Sequence, residues 1–245
     1  METGALAKSG TLYVVGTPIG NLGDLTFRAR DILATVDLIA CEDTRHSLPL
    51  LQRYGIKKPL LSLHQHNEVG RAQHLLKELR AGKSVACITD AGMPSISDPG
   101  QRLVHEVRRG GVACEIIPGP SAPITALAGS GLPSTAFYFG GFLPVKQGQR
   151  QRMLEGALAR EETSIFFESP HRLLASLSVL AQLAPERLIC VARELTKKFE
   201  EFHTANAAVC QAHFQSHPVK GEITLIIAGT DLPKWLRTDS SAQVG

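Results

Sequence analysis

The sequence lacks cysteine pairs, a strong charge bias and a proline-free apolar segment. Its five cysteines contain no C-x-x-C pair, which favours buried, reduced thiols over disulfides or zinc. Lys plus Arg number 26 against 23 Asp plus Glu, so composition alone does not indicate a nucleic-acid-binding lobe. The first ten residues hold no apolar signal core, and together with the reduced thiols this predicts a cytoplasmic location.

One long stretch, residues 116–145, has no charged side chain. It is long enough to cross a bilayer, but it contains five prolines and five glycines, which argue against a single spanning helix. We therefore expect no membrane partner. Uncharged, turn-rich chain instead suggests backbone that approaches a ligand, and we expect it to adjoin a boundary between two domains.

Short β-rich runs alternate with helical patterns along the chain, which predicts an α/β protein with mostly parallel or mixed sheets. We place an N-terminal α/β domain at 1–122 and a C-terminal α/β domain at 123–245, with a cleft between them and a flexible tail at the end. The predicted strands cover 11–16, 36–41, 59–63, 84–89 and 112–117 in the first domain, and 137–140, 163–167, 187–192 and 222–229 in the second.

Three glycine-rich loops follow predicted strands of the first domain. They read GTPIGNLGD (16–24), TDAGMPSISDPG (89–100) and PGPSA (118–122). The first has neither the dinucleotide fingerprint G-x-G-x-x-G nor the Gly-Lys-Ser/Thr of a P-loop. Ligands of open α/β sheets bind where the strands end, so the dense 89–100 loop is better explained as a ligand loop than as a plain connection.

Charged side chains also follow strands of the first domain. Glu42, Asp43, Arg45 and His46 come after the second strand, and His64 and His66 after the third. The cluster at 42–46 is either a solvated helix start capped by Asp43 or a substrate site with a general base. A metal site lacks a ligand set. In the second domain, cations next to strands either face solvent or line one wall of a cleft: Arg172, Arg193, Lys197, Lys198 and Lys220.

Taken together and in order, these motifs are similar to those of a known family. TPIGNLGD, EDTR, the 89–100 loop, PGPSA, FFESPHR, ARELTK and KGE resemble the tetrapyrrole methylase superfamily of S-adenosylmethionine (SAM) methyltransferases, from about Gly10 to Gly229. Relatives that methylate corrins and porphyrins have Gly-Asp-Pro in the central loop, whereas this chain reads Gly92-Met93-Pro94. The resemblance is therefore to the group that modifies ribosomal RNA.

The resemblance implies two α/β domains with SAM in the cleft between them. The first domain supplies the substrate side and the central SAM loop, and the second completes the SAM site. It implies 2′-O-methylation of the ribose of a cytidine in the decoding region of 16S rRNA, within the 30S subunit, by a homodimer. The positions that match the cofactor-contacting loops are Pro18, Asp90, Ala91, Gly92, Met93, Ile96, Ser121, Ala122, Glu168, Ala192 and Arg193.

The attacking hydroxyl needs a base to take its proton. The candidate bases are Glu42, Asp43, Asp24 and His64, and the candidate RNA contacts are Arg45, Arg193 and Lys197. Two alternatives stay open at this point: a SAM enzyme of the same fold that acts on a tetrapyrrole or a protein, and a non-enzymatic, ribosome-associated RNA-binding protein.

Overall fold

The computed structural model describes residues 7–217 and 219–237. The chain divides into two compact units, Met1–Ser121 and Ala122–Gly245. Each is an α/β unit with a five-stranded sheet, so the predicted fold class is confirmed. The flexible tail predicted at the end of the chain lies outside the described residues.

The first unit holds one fully parallel sheet with the strand order β3-β2-β4-β1-β5. Because the strands are parallel, their carboxyl ends all lie at one edge, called the carboxyl edge below. The elements are β1 (Thr11–Val15), α1 (Phe27–Thr35), β2 (Leu38–Cys41), α2 (Thr44–Arg53), β3 (Leu60–Ser62), α3 (Glu68–Arg80), β4 (Val85–Cys87), α4 (Gln101–Arg109) and β5 (Ala113–Ile117).

Both faces of this sheet are covered by helices, which explains why its strands are almost continuously apolar. Alternate side chains of β1 point into different cores: Tyr13 packs with Ile32 and Leu33 of α1, and Leu12 packs with Leu75 of α3. The two cores fix the register of the sheet, and thereby the positions of the loops at its carboxyl edge.

The second unit holds a mixed sheet with the order β6-β7-β10-β8-β9. Strands β6 and β7 are parallel, and the remaining neighbours are antiparallel. The elements are α5 (Ala122–Ser130), β6 (Phe137–Phe142), α6 (Gln147–Leu158), β7 (Thr163–Glu168), α7 (Leu173–Leu183), β8 (Leu188–Arg193), β9 (Glu201–Asn206), α8 (Ala207–Ser216), β10 (Ile223–Ile227) and α9 (Lys234–Arg237).

One strand differs from the sequence-based prediction. Strand β9 was not predicted, because it is an edge strand of sequence EFHTAN that lacks an apolar alternation. The expected helix start capped by Asp43 is present: α2 begins at Thr44, and the carboxylate of Asp43 accepts a hydrogen bond from the N–H of Arg45 at 2.8 Å.

The uncharged stretch 116–145 supplies the end of β5, all of α5 and all of β6. Among the residues that the structure describes, no helix is both long and apolar enough to cross a bilayer. All five cysteines are free thiols. Four are buried and Cys114 is partly buried, which agrees with the expected reduced state.

Candidate functional site

Two glycine-rich loops touch backbone to backbone at the carboxyl edge of the first unit. A Cβ atom added to Gly16, just after β1, would lie 2.7 Å from the Cα of Gly119, just after β5. The same atom would lie 2.7 Å from the sulfur of Met93, in the loop after β4. Only glycine permits this approach. Three separate loops of the sequence therefore meet at one point.

The loops after β1 and β4 are also joined by backbone hydrogen bonds. The N–H of Thr17 donates to the carbonyl of Gly92 at 2.9 Å, and the N–H of Gly92 donates to the carbonyl of Thr17 at 3.2 Å. Gly92 has a φ of 82°, a conformation that favours glycine. The Thr17 hydroxyl donates to the carbonyl of Thr89 at 3.1 Å. These bonds fix the start of the 89–100 loop.

A hydroxyl and two carboxylates lie where β2 and β4 end. The hydroxyl of Thr89 is 3.1 Å from Oε2 of Glu42 and 2.9 Å from Oδ2 of Asp98. A hydroxyl carries one hydrogen, so it can donate to only one of these carboxylates at a time. The contact connects the EDTR motif with the loop predicted to hold the cofactor.

Asp98 sits in an environment that disfavours its charge. Burial raises the pKa of Asp98 from 3.8 to about 6, and the charges of Glu42 and Asp90 act in the same direction. The hydrogen bond with the Thr89 hydroxyl lowers the pKa and offsets part of this rise. The carboxyl of Asp98 therefore gains its proton at a higher pH than an ordinary aspartate. When it does, it can donate to Thr89, whose hydroxyl is then free to donate to Glu42.

Asp43 is held in a different way from Glu42. Its carboxylate accepts from the side chain of Arg45 at 2.7 and 3.1 Å. These hydrogen bonds, and that from the Arg45 N–H, lower the pKa of Asp43 to about 2. A carboxylate of such low pKa is a weak proton acceptor. The N–H of Asp43 donates to Oδ1 of Asp90 at 3.3 Å, which is a second link between the same two loops.

The other two candidate bases lie on two further loops of the same edge, after β1 and after β3. Asp24 ends a 3-10 turn, Leu22–Asp24, and its buried Oδ2 has no hydrogen-bond partner among the described residues. His64 follows β3, and its ring nitrogen Nδ1 is likewise buried and without a partner. Both side chains thus carry an unsatisfied buried acceptor or donor.

The predicted cofactor loop is strained, with an exposed apolar side chain. Ser95 and Ser97 have φ values of 72° and 64°, and non-glycine residues in this region cluster at binding sites. The buried hydroxyl of Ser95 has no hydrogen-bond partner in the part of the chain that the structure describes, whereas Ile96 is exposed. A buried polar atom beside an exposed apolar side chain fits a ligand such as SAM, which has polar and apolar parts. The structure places the predicted cofactor residues of this unit on three loops: Pro18, Asp90, Ala91, Gly92, Met93, Ile96 and Ser121.

In the second unit, Glu168 ends β7 with a fully buried side chain. Its Oε1 accepts from the N–H of Ser169 at 2.7 Å and from the guanidinium of Arg172 at 3.0 Å, and its Oε2 accepts from the Ser176 hydroxyl at 2.6 Å. The carboxylate therefore shapes the FFESPHR loop.

The predicted RNA contacts of the second unit are engaged in ion pairs within that unit. Arg193 pairs with Glu201 at 2.8 Å, and Lys197 lies 2.9 Å from Glu194 and 2.7 Å from Glu222. Arg193 ends β8, whereas Ala192 is buried within that strand and Ala122 begins α5. Arg45, in the first unit, is exposed apart from its pair with Asp43. The RNA-contact roles of all three cations stay predictions.

Sequence reasoning missed two residues of this site, Thr89 and Asp98. Both belong to the 89–100 motif, but neither was singled out as touching Glu42. The signal that could have found Thr89 is its place directly after β4, because β4 pairs with β2 and the ends of neighbouring parallel strands lie close together.

A parallel sheet with glycine-rich loops and carboxylates gathered at its carboxyl edge is typical of α/β proteins that bind a small ligand at that edge. The chain belongs to the tetrapyrrole methylase family, because the family profile Tetrapyrrole (Corrin/Porphyrin) Methylases matches residues 11–209. This result confirms the resemblance inferred from the motifs, and it places the chain among methyltransferases.

Curated relatives share nearly half of the sequence. The chain is 48% identical to ribosomal RNA small subunit methyltransferase I of Mesorhizobium japonicum, over 95% of this chain and 79% of that protein. It is 45% identical to the protein of the same name from Thermotoga maritima, over 91% of this chain and 100% of that protein.

The fold is shared with more distant solved structures. One is uroporphyrin-III C-methyl transferase from Thermus thermophilus complexed with S-adenyl homocysteine, with a TM-score of 0.60 and 19% identity, covering 89% of this chain and 97% of that chain. At this identity the likeness establishes the fold alone.

Proposed function

We propose that this protein transfers the methyl group of SAM to the 2′-oxygen of a cytidine ribose in the decoding region of 16S rRNA. The observation that carries the proposal is the identity of 42–49%, over 89–95% of the chain, to relatives named ribosomal RNA small subunit methyltransferase I. The Gly92-Met93-Pro94 sequence in the central loop supports the same substrate class.

The cofactor is SAM, which supplies a methyl group activated by its sulfonium. The strained 89–100 loop would hold it, together with the glycine contact between Gly16 and Gly119, since backbone groups there approach closely without side chains. Ala122, Glu168, Ala192 and Arg193 are the positions that the second unit would contribute.

Glu42 is the base that the geometry of the first unit favours. It is held by the Thr89 hydroxyl next to the cofactor loop, and no cation forms an ion pair with it among the described residues. Asp43 is a weaker candidate, because the Arg45 guanidinium lowers its pKa to about 2. In the reaction the ribose oxygen forms its bond to the methyl carbon while the carbon–sulfur bond breaks, and the hydroxyl proton passes to Glu42. Alignment of oxygen, carbon and sulfur supplies much of the acceleration.

The setting of the reaction is also part of the proposal. We place the enzyme in the cytoplasm, acting as a homodimer on rRNA within the 30S subunit. The near-neutral charge of the chain supports recognition of an assembled subunit through local contacts rather than through a broad basic surface.

The test is methyl transfer from labelled SAM to 30S subunits that lack the modification, followed by mapping of the labelled nucleotide. The expected product is a single 2′-O-methylcytidine in 16S rRNA. Label transferred to uroporphyrinogen but not to 30S subunits would overturn the proposal in favour of a tetrapyrrole substrate. Absence of SAM binding in a calorimetric titration would instead indicate a non-enzymatic RNA-binding protein.

A further inference from the structure

A basic pocket lies beyond the end of β3 in the first unit. It has a volume of about 440 Å³ and is formed by the β3–α3 connection and the first turns of α3. Within the described part of the chain its lining contains an arginine and two histidines but no acidic residue: His66, Asn67, Val69, Gly70, Arg71 and His74.

Arg71 is the unusual member of this lining. Among the arginines whose side chains the structure describes, it is the only partly buried one that has neither an ion pair nor a side-chain hydrogen bond. None of its guanidinium nitrogens is among the buried polar atoms that lack a partner in the described part of the chain, so the charged group reaches the open pocket and is available to an external anion. The other buried or partly buried arginines bond to carboxylates or carbonyls: Arg30, Arg150, Arg160, Arg172, Arg187 and Arg193.

Glu68, the acidic residue nearest to the pocket in sequence, forms its hydrogen bonds with another helix. Oε1 of Glu68 accepts from the N–H groups of Gly100 and Arg102, at 2.8 and 3.1 Å, and so caps the start of α4. Its carboxylate is engaged there, and no other carboxylate of residues 7–217 and 219–237 forms an ion pair with Arg71.

The pocket follows the strand next to the one that carries Glu42. Strand β3 pairs with β2, with Ser62 opposite Cys41, and the Ser62 hydroxyl donates to the carbonyl of Glu42 at 3.2 Å. The loop that starts at Ser62 leads directly into the pocket lining. Any phosphate held there would therefore lie on the Glu42 side of the carboxyl edge. In RNA every ribose 2′-oxygen is flanked by the phosphate attached to the neighbouring 3′-oxygen.

We propose that this pocket binds a backbone phosphate of the RNA substrate close to the target ribose, with Arg71 as its main contact and His66 and His74 beside it. Phosphate contacts of this kind fix the register of a nucleic acid without reading its sequence. The inference rests on the proposed function and adds to it the surface that positions the RNA.

The test compares Arg71→Gln, Arg71→Lys and Arg108→Gln with the unchanged protein in methyl transfer to 30S subunits at several salt concentrations. Arg108 is the control, because it is exposed near the end of α4, just before β5, and so lies at the opposite edge of the sheet. Arg71→Gln is expected to raise KM for 30S subunits about tenfold and to reduce the slope of log KM against log salt by about one. Arg71→Lys keeps a cation and should keep most of the slope.

Three further measurements separate this effect from a structural one. SAM affinity by calorimetry, kcat at saturating 30S and the melting temperature should be the same in Arg71→Gln as in Arg108→Gln. Equal KM values and salt slopes for these two variants would overturn the pocket assignment, as would a loss of SAM affinity or folding in Arg71→Gln alone. The proposed function fails if the unchanged protein methylates no 30S subunit. Differences between the Arg71→Gln and Arg108→Gln variants test only the role of the pocket.

Discussion

The Thr89 hydroxyl lies 3.1 Å from Oε2 of Glu42, and this contact joins two loops whose residues are 47 positions apart in the sequence. Thr89 directly precedes the residues predicted to hold the cofactor, and Glu42 begins the EDTR motif. The contact therefore links the orientation of the proposed base to the cofactor loop, so that a change in the position of Thr89 changes the orientation of Glu42.

Replacing Thr89 tests whether this contact positions Glu42. Thr89→Val removes the hydroxyl at nearly constant volume and should lower kcat about tenfold or more, because the carboxylate loses its orientation. Thr89→Ser keeps the donor and should retain most of the rate. The assay is single-turnover methyl transfer to 30S subunits with SAM saturating. Equal rates for the Val and Ser variants would show that the Thr89 hydroxyl does not contribute to the orientation of Glu42.

Asp98 should make stability depend on pH in an unusual direction. Its folded-state pKa of about 6 lies above its ordinary 3.8, so between these values the folded protein binds more protons than the unfolded chain. The stability that Asp98 contributes is present at low pH and is lost as the pH rises through about 6. Asp98→Asn, which is always neutral, should therefore melt higher than the unchanged protein at pH 7, by on the order of 2 °C, with the difference shrinking towards pH 4.

The measurement for Asp98 is a series of thermal melts of both proteins between pH 4 and pH 8. A difference in melting temperature that stays constant over this range would contradict the shifted pKa. A variant that is less stable than the unchanged protein at pH 8 would also contradict it.

Gly16 should not accept a side chain. Gly16→Ala would place Cβ within 2.7 Å of Gly119 and of the Met93 sulfur, which forces the ends of β1 and β5 apart. We expect a loss of about 1–3 kcal/mol in unfolding free energy and weaker SAM binding. Gly156→Ala, in helix α6 with no atom within 4 Å of the new methyl group, is the control and should be neutral or slightly stabilising. Urea unfolding and calorimetry measure both effects, and similar behaviour of the two variants would contradict the close packing.

Arg172 should matter for stability through Glu168. Arg172→Ala removes one of the three donors to a fully buried carboxylate and should cost about 1–3 kcal/mol. Arg109→Ala, which breaks an exposed pair with Glu106, should cost less than about 1 kcal/mol. Urea unfolding compares the two, and an equal cost would indicate that Glu168 does not depend on Arg172.

The strands of the first unit were predictable from the sequence because each is an apolar run that both cores bury, as Leu12 and Tyr13 illustrate. Strand β9 was not, since an edge strand with the sequence EFHTAN needs only one neighbour and shows no apolar period. Its pairing with β8 is a tertiary property that local patterns do not contain.

The candidate site was predictable at the level of motifs but not of contacts. Glu42 and Asp43 are adjacent acids and look equivalent in the sequence. The structure distinguishes them, since Asp43 is bound by Arg45 whereas Glu42 meets Thr89 from another loop. That Arg71 has no ion pair or side-chain hydrogen bond among the described residues was likewise not predictable, because it depends on every side chain around it.

We infer that Glu42, and not its neighbour Asp43, takes the proton from the ribose hydroxyl of an rRNA cytidine. This role is tested most directly by single-turnover methyl transfer to 30S subunits with Glu42→Gln and Asp43→Asn, each at saturating SAM. Glu42→Gln should lose about 100-fold or more in rate with SAM affinity unchanged, and Asp43→Asn should stay within a few-fold of the unchanged protein. A Glu42→Gln variant with the full rate, or an Asp43→Asn variant with the larger loss of rate, would show that Glu42 is not the base.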